Sequence, residues 1–245
     1  MRNIKLIVQY DGTAYAGFQV QPQARTVQGE LEKHCAAICG HPVRIVGSGR
    51  TDAGTHAQGQ VVNFRTEGTV PTDRIPAALN SLLPPDIVVR AAEEAPEGFD
   101  ARRAARGKVY RYTILNRQMP SAFLRNLAWH VRRPLNLEAM IEAGACLLGE
   151  QEFSSFAAAG GEVGSKVRVL RRLDWTRSQD LLLCTLEASG FLYKMARALV
   201  GTLVEVGLGR LSPGRVAEIL AARDRSAAGP TAPAHGLCLL RVIYE

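Results

Sequence analysis

Long apolar runs are missing from this sequence: nothing approaches the stretch of about 18 uninterrupted apolar residues that a membrane-spanning helix needs. With 47% hydrophobic residues and a mean hydropathy of −0.03, the chain is expected to be a soluble globular protein with no membrane partner. Met1 to Lys5 enter an alternating strand with no apolar leader before it, so the expected location is cytoplasmic. Cysteine is scarce. Cys35, Cys39, Cys146, Cys184 and Cys238 are odd in number and form no C-x-x-C pair. Cys35, Cys146 and Cys184 sit among apolar neighbours and read as small buried hydrophobes in a reducing compartment.

Lysine is also scarce, with five against 25 arginines. The net charge of +7 and the pI of about 9.4 point to a polyanionic partner. The cations are clustered: Arg102, Arg103, Arg106, Lys108 and Arg111 lie close together, Arg132 and Arg133 are adjacent, and Arg168, Arg171, Arg172 and Arg177 follow. A guanidinium presents a bidentate fork that suits phosphate, so nucleic acid is the expected partner.

The stretch most concentrated in chemistry runs from Gly47 to Gln60. Glycines 47, 49 and 54 allow positive φ and close approach of a ligand to the backbone. Between two of them stand Arg50, Thr51 and Asp52. Several familiar motifs fail here. Gly47-Ser48-Gly49 opens like a dinucleotide fingerprint, but Asp52 occupies the place of its third glycine. Gly49 to Gly54 has P-loop spacing, yet Thr55-His56 replaces the lysine and hydroxyl that grip phosphate. Asp52 and His56 could share a metal, but no third ligand stands nearby, so no metal is expected. A glycosidase-like site normally needs two carboxylates, and this loop holds one. A lone carboxylate among donors suits a nucleophile or base. A non-catalytic RNA-binding module is the competing reading, although Arg106-Gly107-Lys108-Val109-Tyr110 is only a fragment of an RNA-binding strand motif.

Along the chain, Ile4, Leu6, Val8 and Tyr10 alternate as a strand, and Val27, Leu31, Cys35 and Ile38 share a helix face that Gly40 stops. Strands are predicted at 43–46 and 61–64. A short helix follows, started near Thr72, with Ile75, Leu79 and Leu82 inward, and then a strand at 87–89. The second part has strands at 108–115 and 127–131. Asn136 caps a helix bearing Leu137, Met140, Ile141 and Leu148, closed by Gly149. Strands at 167–175 and 181–188, helices at 192–206 and 216–222 (the latter capped by Ser212-Pro213), and a closing strand at 237–244 complete it. The order implies an α+β fold of two ferredoxin-like βαββαβ halves, 1–104 and 105–245, with mainly antiparallel sheets and a cleft between them. The 227–236 stretch, long for a plain connection, is a candidate to line that cleft.

The run Arg50-Thr51-Asp52-Ala53-Gly54-x-His56-Ala57 resembles the nucleophile loop of the TruA-type tRNA pseudouridine synthases. Phe99-Asp100-Ala101-Arg102, Lys108-x-Tyr110-x-Tyr112, Phe191-x-x-x-Met195-x-Arg197 and Ala232-Pro233-x-x-Gly236-Leu237 are similar to further segments of that family, in the same order. The resemblance implies the pseudouridine synthase fold and isomerisation of uridine to pseudouridine in the anticodon stem-loop of tRNA, by a homodimer without cofactor or metal. It implies that Asp52 is the catalytic nucleophile, Arg50 a contact to the flipped nucleotide, Arg197 the ion-pair partner of Asp52, and Tyr110 the residue that stacks on uracil. Arg102, Thr51, Gly54 and His56 are further expected substrate contacts, and Met195 is expected in the core. The chain departs from the family pattern at Thr55 and Ala196, at Gln151-Glu152 in place of a His-Asp pair, and at Cys238 in place of an aromatic.

Overall fold

In the computed structural model, which describes residues 1–160 and 164–245, the alternating start of the chain forms β1 (Arg2–Tyr10), with Ile4, Leu6, Val8 and Tyr10 buried. In α1 (Val27–Cys39), Thr26 accepts from the Gly29 N–H at the start, and Gly40 closes the helix at φ 74°, a conformation glycine takes at little cost. Next come β2 (Val46–Gly47), β3 (His56–Thr66), α2 (Ile75–Asn80) and β4 (Ile87–Ala95). This is the βαββαβ order expected. The remaining elements are β5 (Gly107–Asn116), β6 (Trp129–Val131), α3 (Leu137–Gly144), β7 (Gly149–Glu152), β8 (Val167–Ser178), β9 (Leu181–Ala188), α4 (Met195–Gly207), α5 (Arg215–Ala222) and β10 (Leu237–Ile243).

Met1–Arg106 and Cys238–Glu245 form one compact unit, and Gly107–Leu237 forms another. In the first, the strand order is β4-β1-β3-β10, with β2 also on β3. In the second it is β5-β9-β8-β7, with β6 on β5. Pairing within the units is antiparallel except for β3 with β10 and β5 with β6. The α+β, mainly antiparallel class read from the sequence holds. The closing strand differs from the sequence reading, which kept 105–245 together: Cys238 and Leu239 pair with His56 and Ala57, so 238–245 pack with the first unit.

Other departures have local causes. Residues 43–45 form no strand because the α1 side chains take the backbone of Ile45: its N–H donates to Glu32 at 2.9 Å and its carbonyl accepts from Gln28 at 3.1 Å. Residues 56–60, read as loop, belong to β3. Gly59 permits this, since a Cβ there would lie 2.4 Å from the Leu240 carbonyl oxygen. Thr72 does not cap α2, because its hydroxyl accepts from Arg2 at 2.6 Å and donates to Glu94 at 3.0 Å. α2 stops at Asn80, whose amide exchanges two hydrogen bonds with Val89, so Leu82 falls outside the helix and is exposed while Leu83 is buried. α3 ends at Gly144, so Leu148 falls outside it and is exposed, Ile141 within the helix is exposed as well, and Gly149 opens β7, a strand absent from the sequence reading. Ser212-Pro213 gives α5 no side-chain cap.

α4 carries the core of the second unit, with Met195, Ala198, Leu199, Leu203 and Val204 fully buried. Each large apolar side chain so placed contributes about 1.5–3 kcal/mol relative to exposure. Cys35 and Cys184 are fully buried, and burial pushes the Cys35 thiol up to about 12. Cys146 is only half-buried, short of the expected burial.

Candidate active site

In the first unit the chain between β2 and β3 is held from beneath by a buried polar network. The Ser48 N–H donates to the Val61 carbonyl at 2.8 Å, closing the base of the loop. Gln60 is wholly buried on β3, where its Nε2 donates to the Gly49 carbonyl at 3.0 Å and its Oε1 accepts from the Ser48 hydroxyl at 2.7 Å. Its Nε2 also reaches the Tyr10 hydroxyl at 3.4 Å, and that hydroxyl lies 2.8 Å from Thr51 Oγ1. Burial pushes the Tyr10 phenol well above its ordinary value, against the hydrogen bonds from Thr51 and Gln60, so it stays a neutral hydroxyl. An unsatisfied member of such a network costs about 1–3 kcal/mol, so its members fix one another.

The segment after β1 clamps the loop from the side. The Phe18 N–H donates to the Thr51 carbonyl at 3.1 Å. Gly17 has φ 106°, and a Cβ on it would lie 2.9 Å from that same carbonyl oxygen. A Cβ on Gly12 would lie 2.0 Å from the Thr55 carbonyl oxygen, so only glycine admits this approach. Asp52 itself begins a turn. Its carbonyl accepts from the Thr55 N–H at 3.0 Å, and Gly54 supplies the positive φ of 76° the turn requires. Asp52 is half-buried and Arg50 exposed, so the loop lifts a carboxylate and a guanidinium above an ordered base.

Thr51 and His56, expected as substrate contacts, are placed beneath the loop. Thr51 is buried against Tyr10. His56 is the first residue of β3, and its Nδ1 lies 3.1 Å from both the Gly12 N–H and an Asp11 carboxylate oxygen. Thr55 is buried too, and its hydroxyl has no hydrogen-bond partner among the described residues.

The Phe99-Asp100-Ala101-Arg102 turn, in the same unit, has a division of labour. The Phe99 carbonyl accepts from the amides of Asn3 at 2.9 Å and Asn63 at 3.3 Å. The Asp100 carboxylate accepts from the N–H groups of Arg102 and Arg103, both at 2.9 Å. Ala101 is fully buried, accepting from the Tyr244 hydroxyl at 2.9 Å. Arg102 is thereby presented outward.

In the second unit, Tyr110 on β5 is 7% exposed and meets Phe191 edge-on, with ring centroids 5.0 Å apart. Tyr112 is fully buried and donates to the Pro233 carbonyl at 2.7 Å, and burial holds its phenol far above the ordinary value. Arg197 on α4 exchanges hydrogen bonds with Ala232: its Nε donates to the Ala232 carbonyl at 2.7 Å, and its own carbonyl accepts from the Ala232 N–H at 3.1 Å. The 227–236 stretch therefore packs on α4 and Tyr112. Contact is closest at Gly201, where a Cβ would lie 1.8 Å from the Pro230 carbonyl oxygen. Lys194, at the N-terminal cap of α4, holds the left-handed conformation at φ 59°. Met195 lies in the core, as expected.

The structure thus gathers Arg50, Thr51, Asp52, Gly54 and His56 in one loop of the first unit, with Arg102 on its own turn. Tyr110 and Arg197 belong to the second unit. Sequence reasoning passed over Tyr10, Ser48 and the role of Gln60. A tyrosine ending an alternating apolar strand and a glutamine followed by Val61-Val62 were the available signals. Among the described residues, no group of three or more His, Cys, Asp or Glu side chains could hold a metal ion.

A family model described as tRNA pseudouridine synthase matches residues 6–102 and 143–245. Proteins named tRNA pseudouridine synthase A are similar over almost the whole chain. That of Halalkalibacterium halodurans is 51% identical over 238 residues, covering 97% of this chain and 90% of the relative. That of Bacillus subtilis is 48% identical over 244 residues, 99% of each. That of Geobacter sulfurreducens is 47% identical over 244 residues, 100% of each.

Proposed function

Since the chain belongs to the tRNA pseudouridine synthase family, we infer from its site how its own residues divide the work of that reaction. The protein isomerises uridine to pseudouridine in tRNA. The bond from the sugar to N1 of uracil breaks, a bond from the same sugar carbon to C5 forms, C5 gives up its hydrogen and N1 gains one. Nothing else enters or leaves.

The observation that carries the assignment of roles is the Asp52 loop. It offers one carboxylate, on a turn fixed by Gly54 and Thr55, over the buried network of Tyr10, Ser48, Thr51 and Gln60. A reacting carboxylate needs a fixed direction, because misplacement by about 1 Å can cost about a hundredfold in rate. Asp52 is the catalytic aspartate in this reading, and Arg50 contacts the nucleotide as it leaves the stack, an excursion costing a few kcal/mol. Tyr110, held edge-on by Phe191, is the uracil-stacking residue, and Arg197, with Nε committed to Ala232, is the catalytic guanidinium of the second unit. Arg102 meets a phosphate, while Thr51, Gly54 and His56 hold the loop. The family resemblance adds that the target uridines lie in the anticodon arm and that the working form is a homodimer, and a cytoplasmic location remains the expectation from the sequence.

The test uses tRNA labelled with tritium at C5 of uridine, since rejoining through C5 releases that hydrogen. Release from full-length tRNA that disappears when the anticodon-arm uridines are replaced by cytidine supports the reading. Undiminished release from the cytidine-substituted tRNA moves the target elsewhere.

A further inference from the structure

From Ala101 to Leu137 the chain holds nine lysines and arginines and no aspartate or glutamate. This run contains the connection between β5 and β6 in the second unit, which lies between the two regions the family model matches. The connection is braced from within. Arg117 donates from Nε to the Met119 carbonyl at 2.8 Å and from Nη2 to the Pro120 carbonyl at 3.2 Å, and it pairs with Asp180 at 3.3 Å. Arg125 donates to the Ala122 carbonyl at 2.7 Å, the N–H groups of Leu127 and Ala128 both reach the Leu124 carbonyl at 3.0 Å, and His130 Nε2 donates to the Arg117 carbonyl at 2.8 Å. This ordered loop holds Phe123 at 91% and Met119 at 70% exposure. Beside it is a hollow of about 320 Å³ whose lining includes Pro120, Leu124, Ala128 and Trp129.

A rigid loop that exposes its largest apolar side chain forgoes about 1.5–3 kcal/mol of burial for that residue alone. Exposed patches of this kind mark interaction sites, and the charge around this one selects the partner. Arg125, Arg132 and Arg133 are all exposed, with no acid in the segment to offset them. A second copy meeting this face through a twofold axis would set arginines against arginines. RNA supplies both matching features, flat bases for the ring and phosphates for the guanidinium groups.

We propose that the 117–133 loop is a second RNA-contact surface, on which Phe123 stacks on a tRNA base away from the target uridine while Arg125, Arg132 and Arg133 meet neighbouring phosphates. The proposal rests on tRNA being the substrate. Ring stacking of this kind is worth about 1–3 kcal/mol per base, and the ring makes no contribution to the core.

The experiment compares wild type, Phe123→Ala and Phe123→Trp, measuring the Kd for full-length C5-tritiated tRNA, the tritium release rate at saturating tRNA, and molecular mass by light scattering. Phe123→Ala is expected to raise Kd about 5- to 150-fold, with the saturated rate and the mass unchanged. Phe123→Trp should bind about as well as wild type, because indole stacks at least as strongly. Three results overturn the proposal: Phe123→Ala binding within about twofold of wild type, Phe123→Trp weakened as much as Phe123→Ala, or a lower mass for Phe123→Ala, which would make the face a self-association surface. Absence of tritium release from wild type would instead overturn the enzymatic reading, and the two failures are separable.

Discussion

One irregular segment in each unit is held without regular structure, and the two lean on different supports. Residues 48–55 of the first unit rest mainly on hydrogen bonds made by the buried side chains of Tyr10, Ser48, Thr51 and Gln60, with Gly12 and Gly17 admitting close backbone approach beside them. Residues 229–236 of the second unit rest on close backbone approach. Gly201 lets the Pro230 carbonyl reach α4, Gly229 sits against Thr202, and Gly236 lies against the Tyr112 ring, with Arg197 and Ala232 adding a reciprocal pair of hydrogen bonds. The difference teaches what each segment tolerates. A polar support fails when a partner is removed, and a steric support fails when an atom is added.

The largest expected stability effect is on the steric side. Gly201→Ala places a methyl group where 1.8 Å separates it from the Pro230 carbonyl oxygen, and backbone must move. We expect a loss of about 3 kcal/mol or more in denaturant unfolding. A loss below 1 kcal/mol would show that 229–236 yields easily.

On the polar side, Tyr10→Phe leaves Thr51 Oγ1 and the Gln60 amide without their shared partner. The expected cost is about 1–3 kcal/mol, with a fall in the saturated rate and little change in tRNA affinity. Thr51→Ser, which keeps the oxygen, should retain most of the rate, whereas Thr51→Val should not. Equal rates in those two variants would mean that the hydrogen bond does not orient Asp52.

Arg197→Lys loses the Nε donor to Ala232. A smaller destabilisation is expected, about 0.5–1.5 kcal/mol, with a slower single-turnover step at unchanged tRNA affinity. An unchanged rate would remove Arg197 from the chemistry and leave it a brace for 229–236.

The smallest effect has the opposite sign. The Thr55 hydroxyl is buried without a partner among the described residues. Thr55→Val keeps the shape and removes the desolvated oxygen, so stability should stay level or rise by up to about 1 kcal/mol with turnover retained. A marked loss of turnover would reveal a use for that hydroxyl.

The same contrast explains what could be read from the sequence. β1, α1 and β9 were legible because their apolar spacing is local, and the Gly40 stop needs only glycine's own φ. The Asp52 loop was legible as chemistry because its charged residues stand between glycines. Its support was not, because Gln60 meets Gly49 and Tyr10 only once β1 and β3 pair in register. For the same reason Thr51 and His56 were expected at the ligand and lie beneath the loop. Val43 and Ile45 are β-branched, yet Glu32 and Gln28 on α1 claim the Ile45 backbone. β10 was expected with the second half, and only a pairing between residues far apart in the chain, Cys238 with His56, returns it to the first.

The central claim is that Asp52, held by that polar base, performs the chemistry. Asp52→Asn preserves size and the turn but removes the charge, so the direct measurement is tritium release from C5-labelled uridine in tRNA, wild type against Asp52→Asn, with tRNA affinity measured alongside. The account predicts release at background for the variant with affinity within several-fold of wild type. Release at the wild-type rate from Asp52→Asn would contradict it.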